Sequence, residues 1–139
     1  MALGADAAGP LTDALVAELH GRGTDVMLYG ALDDGSAAWA SIGRAVGEAV
    51  ACGEADMGVV CCWTGTGISI AANKVSGVRA ALCADAVTAE GARRWNDANV
   101  LALSLRSTTP AVGVEILDAF LRTDTTGEAV ERAEIAKLQ

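Results

Sequence analysis

Apolar residues alternate along the chain between short continuous runs and longer stretches spaced at three and four, a pattern of strands followed by helices. Ala2–Ala5 reads as a short first strand. Pro10 stands near a helix start, where its missing N–H costs little. Leu11, Leu15 and Leu19 then repeat at helical spacing until Gly21 and Gly23. Asp25–Tyr29 (DVMLY) predicts a second strand. Trp39, Ile42, Val46, Ala49 and Val50 predict a helix over 38–52, with Gly53 as its stop. Met57–Cys62 (MGVVCC) is a continuous apolar run, as in a strand buried on both faces. A Thr/Gly turn leads into a small-residue helix around Ser69–Lys74. Val78–Cys83 (VRAALC) and Val100–Leu103 predict strands four and five, with a short helix over Val87–Trp95 between them. Val112–Leu121 is amphipathic, with Val112, Ile116, Leu117 and Phe120 on one side, and the tail from Gly127 reads as a further polar helix. Five strands alternating with helices predict an α/β fold: a five-stranded parallel sheet with helices on both faces. In such sheets ligands bind beyond the carboxyl ends of the strands. That directs attention to Ala5–Gly9, Gly30–Gly35, Cys62–Ser69, Ala84–Ala86 and Ser104–Ser107.

The length, 139 residues, predicts a single domain over 1–139. Hydrophobic residues make up 52% and charged residues 20%, enough to bury a core and too apolar for disorder. A formal charge of −8 repels phosphate backbones and anionic lipid, so neither nucleic acid nor a membrane surface is expected as a partner. No apolar run reaches the ~18 residues of a membrane-spanning helix. The N-terminal MALGADAAGP lacks the basic region of a signal peptide. Cys52, Cys61, Cys62 and Cys83 form no CxxC pair, and the one histidine, His20, lies elsewhere, so no metal is expected. A reduced, cytoplasmic protein follows.

The stretch richest in chemistry is Cys61-Cys62-Trp63-Thr64-Gly65-Thr66-Gly67-Ile68-Ser69. It leaves a buried strand and enters a helix. Two glycines let the backbone turn with its N–H groups inward, and with the helix N-terminus behind them these amides form an anion site for a phosphate, a carboxylate or an enediolate. Adjacent strand residues face opposite sides, so Cys61 and Cys62 do not share the site. Cys62, nearer the loop, is the candidate, and a helix N-terminus lowers a thiol pKa. The loop is neither a dinucleotide fingerprint, since Ile70 stands where the third glycine belongs, nor a P-loop, since no G-K-[ST] follows.

Three separated segments, CWTGTGISIAANK (Cys62–Lys74), GVRAALC (Gly77–Cys83) and NDANVLA (Asn96–Ala102), resemble the ribose-5-phosphate isomerase B and galactose-6-phosphate isomerase family. Gly4–Gly9 (GADAAG) is similar to the family's opening G-S-D-H-A-G, and Gly53–Asp56 (GEAD) matches ahead of the central strand. The resemblance implies a Rossmann-like three-layer sandwich. It implies a homodimer or dimer of dimers with sites at the interface, and aldose–ketose isomerisation of a sugar phosphate through an enediolate with neither metal nor cofactor. Residue by residue, Cys62 matches the base, and Thr64 the polar loop residue beside it. The amides of Gly65, Thr66, Gly67 and Ser69 match the loop that stabilises the enediolate oxygens. Asp6 matches the acid that binds sugar hydroxyls, Asn96 a substrate-binding Asn, and Arg106 an arginine near the substrate. Arg132 matches the second arginine of a C-terminal phosphate-binding pair.

The chain departs from this pattern at four points. The family's histidine after the first Asp is Ala7, its ring-opening histidine is Trp95, the small residue after the base cysteine is Trp63, and the first C-terminal arginine is Glu128. Indole is a donor only and cannot shuttle protons, so either the substrate stays open-chain, as a tetrose 4-phosphate would, or Asp6, Asp97 or Cys62 takes over ring opening. Trp63 and Trp95 are expected to line the pocket, whereas Trp39 is assigned to packing. Cys52, Cys61 and Cys83 are read as inert or core, Asp85 as a helix cap, Asn73 as a structural cap, Lys74 as exposed charge, and Arg93 and Arg94 as surface or dimer contacts. The leading function is a small-sugar-phosphate isomerase. A related isomerase or epimerase with another substrate, and a non-catalytic metabolite-binding or partner subunit, are the alternatives; a signalling receiver domain is weaker still, because Cys62 stands where that fold needs Asp.

Overall fold

The apolar runs form β1 (Ala2–Ala5), β2 (Met27–Gly30), β3 (Gly58–Cys62), β4 (Ala80–Leu82) and β5 (Val100–Ser104). Between and after them lie α1 (Pro10–Gly21), α2 (Trp39–Ala51), α3 (Thr66–Asn73), α4 (Ala86–Asn96), α5 (Pro110–Arg122) and α6 (Ala129–Ile135), with a closing 3₁₀ turn at Ala136–Leu138. The computed structural model describes residues 1–35 and 38–138; Ser36, Ala37 and Gln139, which the expected 1–139 domain includes, lie outside them. The strands pair in parallel in the order β2-β1-β3-β5-β4. This is the α/β, Rossmann-like sandwich anticipated from the alternation of runs.

β1, β3 and β5 are buried at every position. Their alternate side chains feed two cores. Leu3, Val59, Cys61, Leu101 and Leu103 pack with Leu11, Leu15 and Leu19 of α1, Ala89 and Ala92 of α4, and Ile116, Leu117 and Phe120 of α5. Ala2, Val60, Cys62, Val100 and Ala102 pack on the other face with Ile42, Val46 and Val50 of α2 and Ile68 and Ala72 of α3. Small residues let the second layer close tightly. A Cβ at Gly43 of α2 would stand 2.7 Å from the carbonyl oxygen of Ile68 in α3.

The order switches between β1 and β3, because the chain leaves β1 toward β2 and returns over it to β3. Loops from these two strands diverge there and leave a cleft at the carboxyl edge.

Several element ends differ from the sequence reading. α3 begins at Thr66 rather than Ser69, because Gly65 takes the left-handed conformation (φ 76°) and turns the chain straight into the helix. β4 is shorter than Val78–Cys83. Arg79 leaves the ladder: its N–H donates to Asn99 Oδ1 and its guanidinium to Asp97. The amide of Asn73 does not cap α3 but pairs with both the N–H and the C=O of Ala80, closing the edge of β4. Asp85 caps α4, accepting from Thr88 N–H at 2.7 Å. Arg93 is not the surface or dimer contact expected from the sequence. It is buried, donating to Asp97 Oδ1 and to the carbonyls of Ala98 and Thr123, with its guanidinium 5.5 Å from the Phe120 ring. Its neighbour Arg94 is exposed and pairs with Glu90 along the helix.

Candidate active site

Asp6, Trp39, Cys62, Trp63, Thr64, Thr66 and Gly67 line an open cleft of about 280 Å³ at the switch point. β3 ends at Cys62, whose side chain belongs to the α2–α3 side of the sheet, while that of Cys61 belongs to the opposite core. The two thiols therefore part company as strand alternation requires. The Cys62 carbonyl is held twice, by Leu105 N–H at 3.0 Å and Gly65 N–H at 3.1 Å. The Trp63 carbonyl accepts from Arg106 N–H and from Ser104 Oγ. The turn 62–65 is thus pinned to the end of β5, which fixes the position of Cys62.

Gly65 is obligatory. Besides its positive φ, a Cβ there would stand 2.9 Å from the Leu103 carbonyl carbon. The first intrahelical bond of α3 runs from Ser69 N–H to Gly65 O. The amides of Thr66, Gly67 and Ile68 precede it and lie outside the helix ladder. They sit at the positive end of the helix dipole, next to Cys62. Across the turn, Thr64 Oγ1 and Thr66 Oγ1 are 2.7 Å apart.

Asp6 opens the short loop after β1, its N–H donating to the Cys61 carbonyl. Partial burial raises its carboxyl above the usual aspartate range, partly opposed by a hydrogen bond from its own backbone. Burial pushes the Cys61 thiol up to about 12, with Cys62 and Asp6 adding to the rise. Cys83 is likewise pushed to about 11 by burial and by Asp85. Both are core thiols.

The two tryptophans of the cleft are partly exposed, Trp63 at 64% and Trp39 at 46%. Trp39, which the sequence assigns to packing, walls the cleft. The available signal was its position at the start of the helix after β2, which the topology brings to the carboxyl edge. Beside the cleft, where the family carries a histidine, Ala7, Ala8, Gly9, Trp63 and Leu105 leave a hollow of about 200 Å³ that is largely apolar.

The other expected site residues lie apart. Ser69 is buried one turn into α3, and Arg106 is exposed just past β5, outside the cleft lining. Trp95 and Asn96 end α4, whose 11 residues carry them about 16 Å down to the amino edge of the sheet. Asn96 lines a separate cavity of about 360 Å³ with Asn73, Arg79 and Leu138. The Trp95 ring folds back over Gly91 of its own helix. Arg132 is exposed on α6, four residues after Glu128. The chain therefore brings Asp6, Cys62, Trp63, Thr64, Thr66 and Gly67 together, with Gly65 in the supporting turn, and leaves Trp95, Asn96 and Arg132 elsewhere. Among the described residues no group of three or more His, Cys, Asp or Glu is placed to hold a metal ion. Nor is any helix long and apolar enough to cross a membrane.

Fold and cleft define a class: an α/β protein presenting a thiol, a carboxyl and free helix amides at the switch point of a parallel sheet. The family model described as Ribose/Galactose Isomerase matches residues 1–138, and the chain belongs to that family. It is 44% identical over 103 residues to the galactose-6-phosphate isomerase subunit LacB of Clostridium acetobutylicum, a match spanning 74% of this chain and 60% of that one. It is 39% identical over 122 residues to ribose-5-phosphate isomerase B of Escherichia coli, spanning 87% and 82%. It is 34% identical over 129 residues to D-erythrulose-4-phosphate isomerase of Pectobacterium atrosepticum, spanning 91% and 85%. The solved structure of Clostridium thermocellum ribose-5-phosphate isomerase B matches with a TM-score of 0.89 at 35% identity, over 99% of this chain and 95% of that one.

Proposed function

We propose that this protein is an aldose–ketose isomerase acting on a small sugar phosphate, with Cys62 as general base and an enediolate as intermediate. The observation that carries the reading is the convergence of Cys62, Asp6, Thr64 and the free amides of α3 on one cleft. The Cys62 thiolate takes the proton from the carbon next to the carbonyl. The C–H electron pair becomes the C=C bond of the enediolate, and the carbonyl π pair moves onto oxygen. The amides of Thr66, Gly67 and Ile68 and the Thr64 hydroxyl stabilise that charge, which is commonly the largest catalytic term. Cys62 S–H returns the proton to the neighbouring carbon, and the hydroxyl proton moves from one substrate oxygen to the other while Asp6 holds the hydroxyls.

The substrate class follows from what the cleft omits. The chain has one histidine, His20, exposed on the last turn of α1. No imidazole is supplied to open a furanose, by either copy of a homodimer. A four-carbon sugar 4-phosphate needs none, because its 4-oxygen is blocked and cannot close that ring. The Pectobacterium relative named for D-erythrulose 4-phosphate supports this reading. The working unit is a homodimer in which the partner subunit's Asn96 and the partner subunit's Arg132 complete the cleft with Arg106. Four free thiols suit a reducing, cytoplasmic setting.

Proton exchange in deuterium oxide tests the chemistry. Tetrose, pentose and hexose phosphates and their unphosphorylated forms are incubated with wild type and Cys62→Ala and followed by NMR. Deuterium entering next to the carbonyl of the four-carbon phosphate, and lost in Cys62→Ala, is the expected result. No exchange on any panel member overturns the isomerase reading in favour of a binding subunit, while exchange confined to pentose phosphates overturns the substrate class alone.

A further inference from the structure

Thr64 and Thr66 meet across the turn that opens α3, their hydroxyl oxygens 2.7 Å apart, and both line the cleft with Cys62. In such a pair one hydroxyl donates and the other accepts. The two arrangements differ at the substrate. If the Thr64 O–H donated to Thr66 Oγ1, Thr64 would turn only lone pairs toward a developing oxyanion. If Thr66 donates, Thr64 keeps its own O–H for the cleft, and accepting the bond polarises that O–H further. Negative charge on the substrate selects the second arrangement.

We propose that Thr66 is a positioning residue whose hydroxyl donates to Thr64 Oγ1 and so aims the Thr64 O–H at the enediolate oxygen. This rests on the isomerase reading above. No proton changes owner: both hydroxyls keep theirs, and the gain is a stronger hydrogen bond as charge develops. The effect belongs to the transition state rather than to substrate binding, so it reads in kcat and not in KM.

Thr66→Val keeps the shape and removes the hydroxyl, and Thr66→Ser keeps the hydroxyl. Thr66→Ala serves as a second hydroxyl-free variant if Val unsettles the turn, as judged by thermal melting. Each is measured by steady-state kinetics on the four-carbon phosphate. Binding of a four-carbon phosphorylated hydroxamate, which imitates the planar enediolate, is measured by calorimetry. Thr66→Val is expected to lose about fivefold to tenfold in kcat, the worth of one hydrogen bond, with KM within about twofold. It is expected to bind the hydroxamate more weakly by the same factor. Thr66→Ser is expected within about twofold of wild type, and Thr64→Val/Thr66→Val no worse than Thr64→Val alone. Unchanged kcat in both hydroxyl-free variants, equal loss in Thr66→Ser, or additive losses in the double variant overturns the proposal while the isomerase reading stands. A wild type that neither turns over nor binds the hydroxamate overturns both.

Discussion

Trp39 packs against Gly67: a Cβ on that glycine would come within 3.1 Å of the indole Cε3 and 3.2 Å of Cζ3. The first residue of α2 thus meets the second residue of α3 at the mouth of the cleft. Glycine at this point lets the ring approach the first turn of α3. If the cleft binds a sugar phosphate as proposed, Trp39 is placed to limit the length of chain it accepts. Trp39→Ala is expected to raise the ratio of kcat/KM for five-carbon over four-carbon phosphates by about fivefold to tenfold. Gly67→Ala, which displaces the ring without removing it, is expected to lower kcat/KM for both. An unchanged ratio in Trp39→Ala would remove the indole from any part in selection.

The thiols separate cleanly by environment. Cys61 sits fully in the core with its pKa pushed to about 12, and Cys83 near 11. At pH 8 the reactive thiolate of Cys61 is then on the order of one in ten thousand. In a Cys52→Ser background, which removes the exposed thiol, iodoacetamide is expected to label Cys62 and to spare Cys61 and Cys83 until unfolding. A four-carbon phosphorylated hydroxamate is expected to slow the Cys62 reaction. Peptide mass spectrometry after timed quenching reads all sites together, and native labelling of Cys61 at the Cys62 rate would contradict this division.

Asp6 gives a pH dependence with a definite sign. Its native pKa lies above the ordinary value of 3.8 because burial penalises the carboxylate. Between those two values the native state binds more protons than the unfolded one, so stability falls as pH rises through that window and stays lower above it. Asp6→Asn removes the penalty. The variant is expected to melt above wild type at pH 7, with the gap closing as pH approaches 3.8, while isomerase activity collapses. Melting scans across pH 3.5 to 7.5, a range set by the reference carboxyl value, check the sign. A gap that widened on acidification would mean the carboxylate is stabilised in the native state instead.

Much of this was readable from the chain alone. The central strand announces itself because a parallel strand buried on both faces is a continuous apolar run, as MGVVCC is. The Cys62–Ser69 turn is legible because Gly65 and Gly67 have few other uses between a strand and a helix. Strand ends were less legible. β4 starts only after Arg79, which turns to Asn99 and Asp97, and no local pattern announces partners some twenty residues away. Arg93 reads as surface charge because burial of a guanidinium depends on carbonyls from Ala98 and Thr123 and on the Phe120 ring, none adjacent in sequence. Trp39 was undervalued for a similar reason. Its role depends on the crossover that sets α2 beside α3, and Gly67 lies 28 positions further on. Asn96 shows the opposite limit. The family resemblance groups it with Cys62, while the fold sets them at opposite edges of the sheet.

That separation makes the strongest prediction about assembly. If the partner subunit's Asn96 serves the cleft of Cys62, then each site of a homodimer draws on both chains. Cys62→Ala and Asn96→Ala are each expected to be inactive as pure proteins. A mixed dimer of the two has one cleft in which an intact Cys62 meets the partner subunit's intact Asn96, and one cleft in which both are lost. Unfolding and refolding an equal mixture gives half mixed dimers with one working site in two, so about a quarter of wild-type activity should return. Separately refolded variants combined afterwards provide the control, because exchange is then limited by dimer dissociation. If Asn96 acted within its own chain, every cleft in the mixture would lack one group and no activity would return at any ratio. A return that peaks at equal proportions would locate the site between subunits.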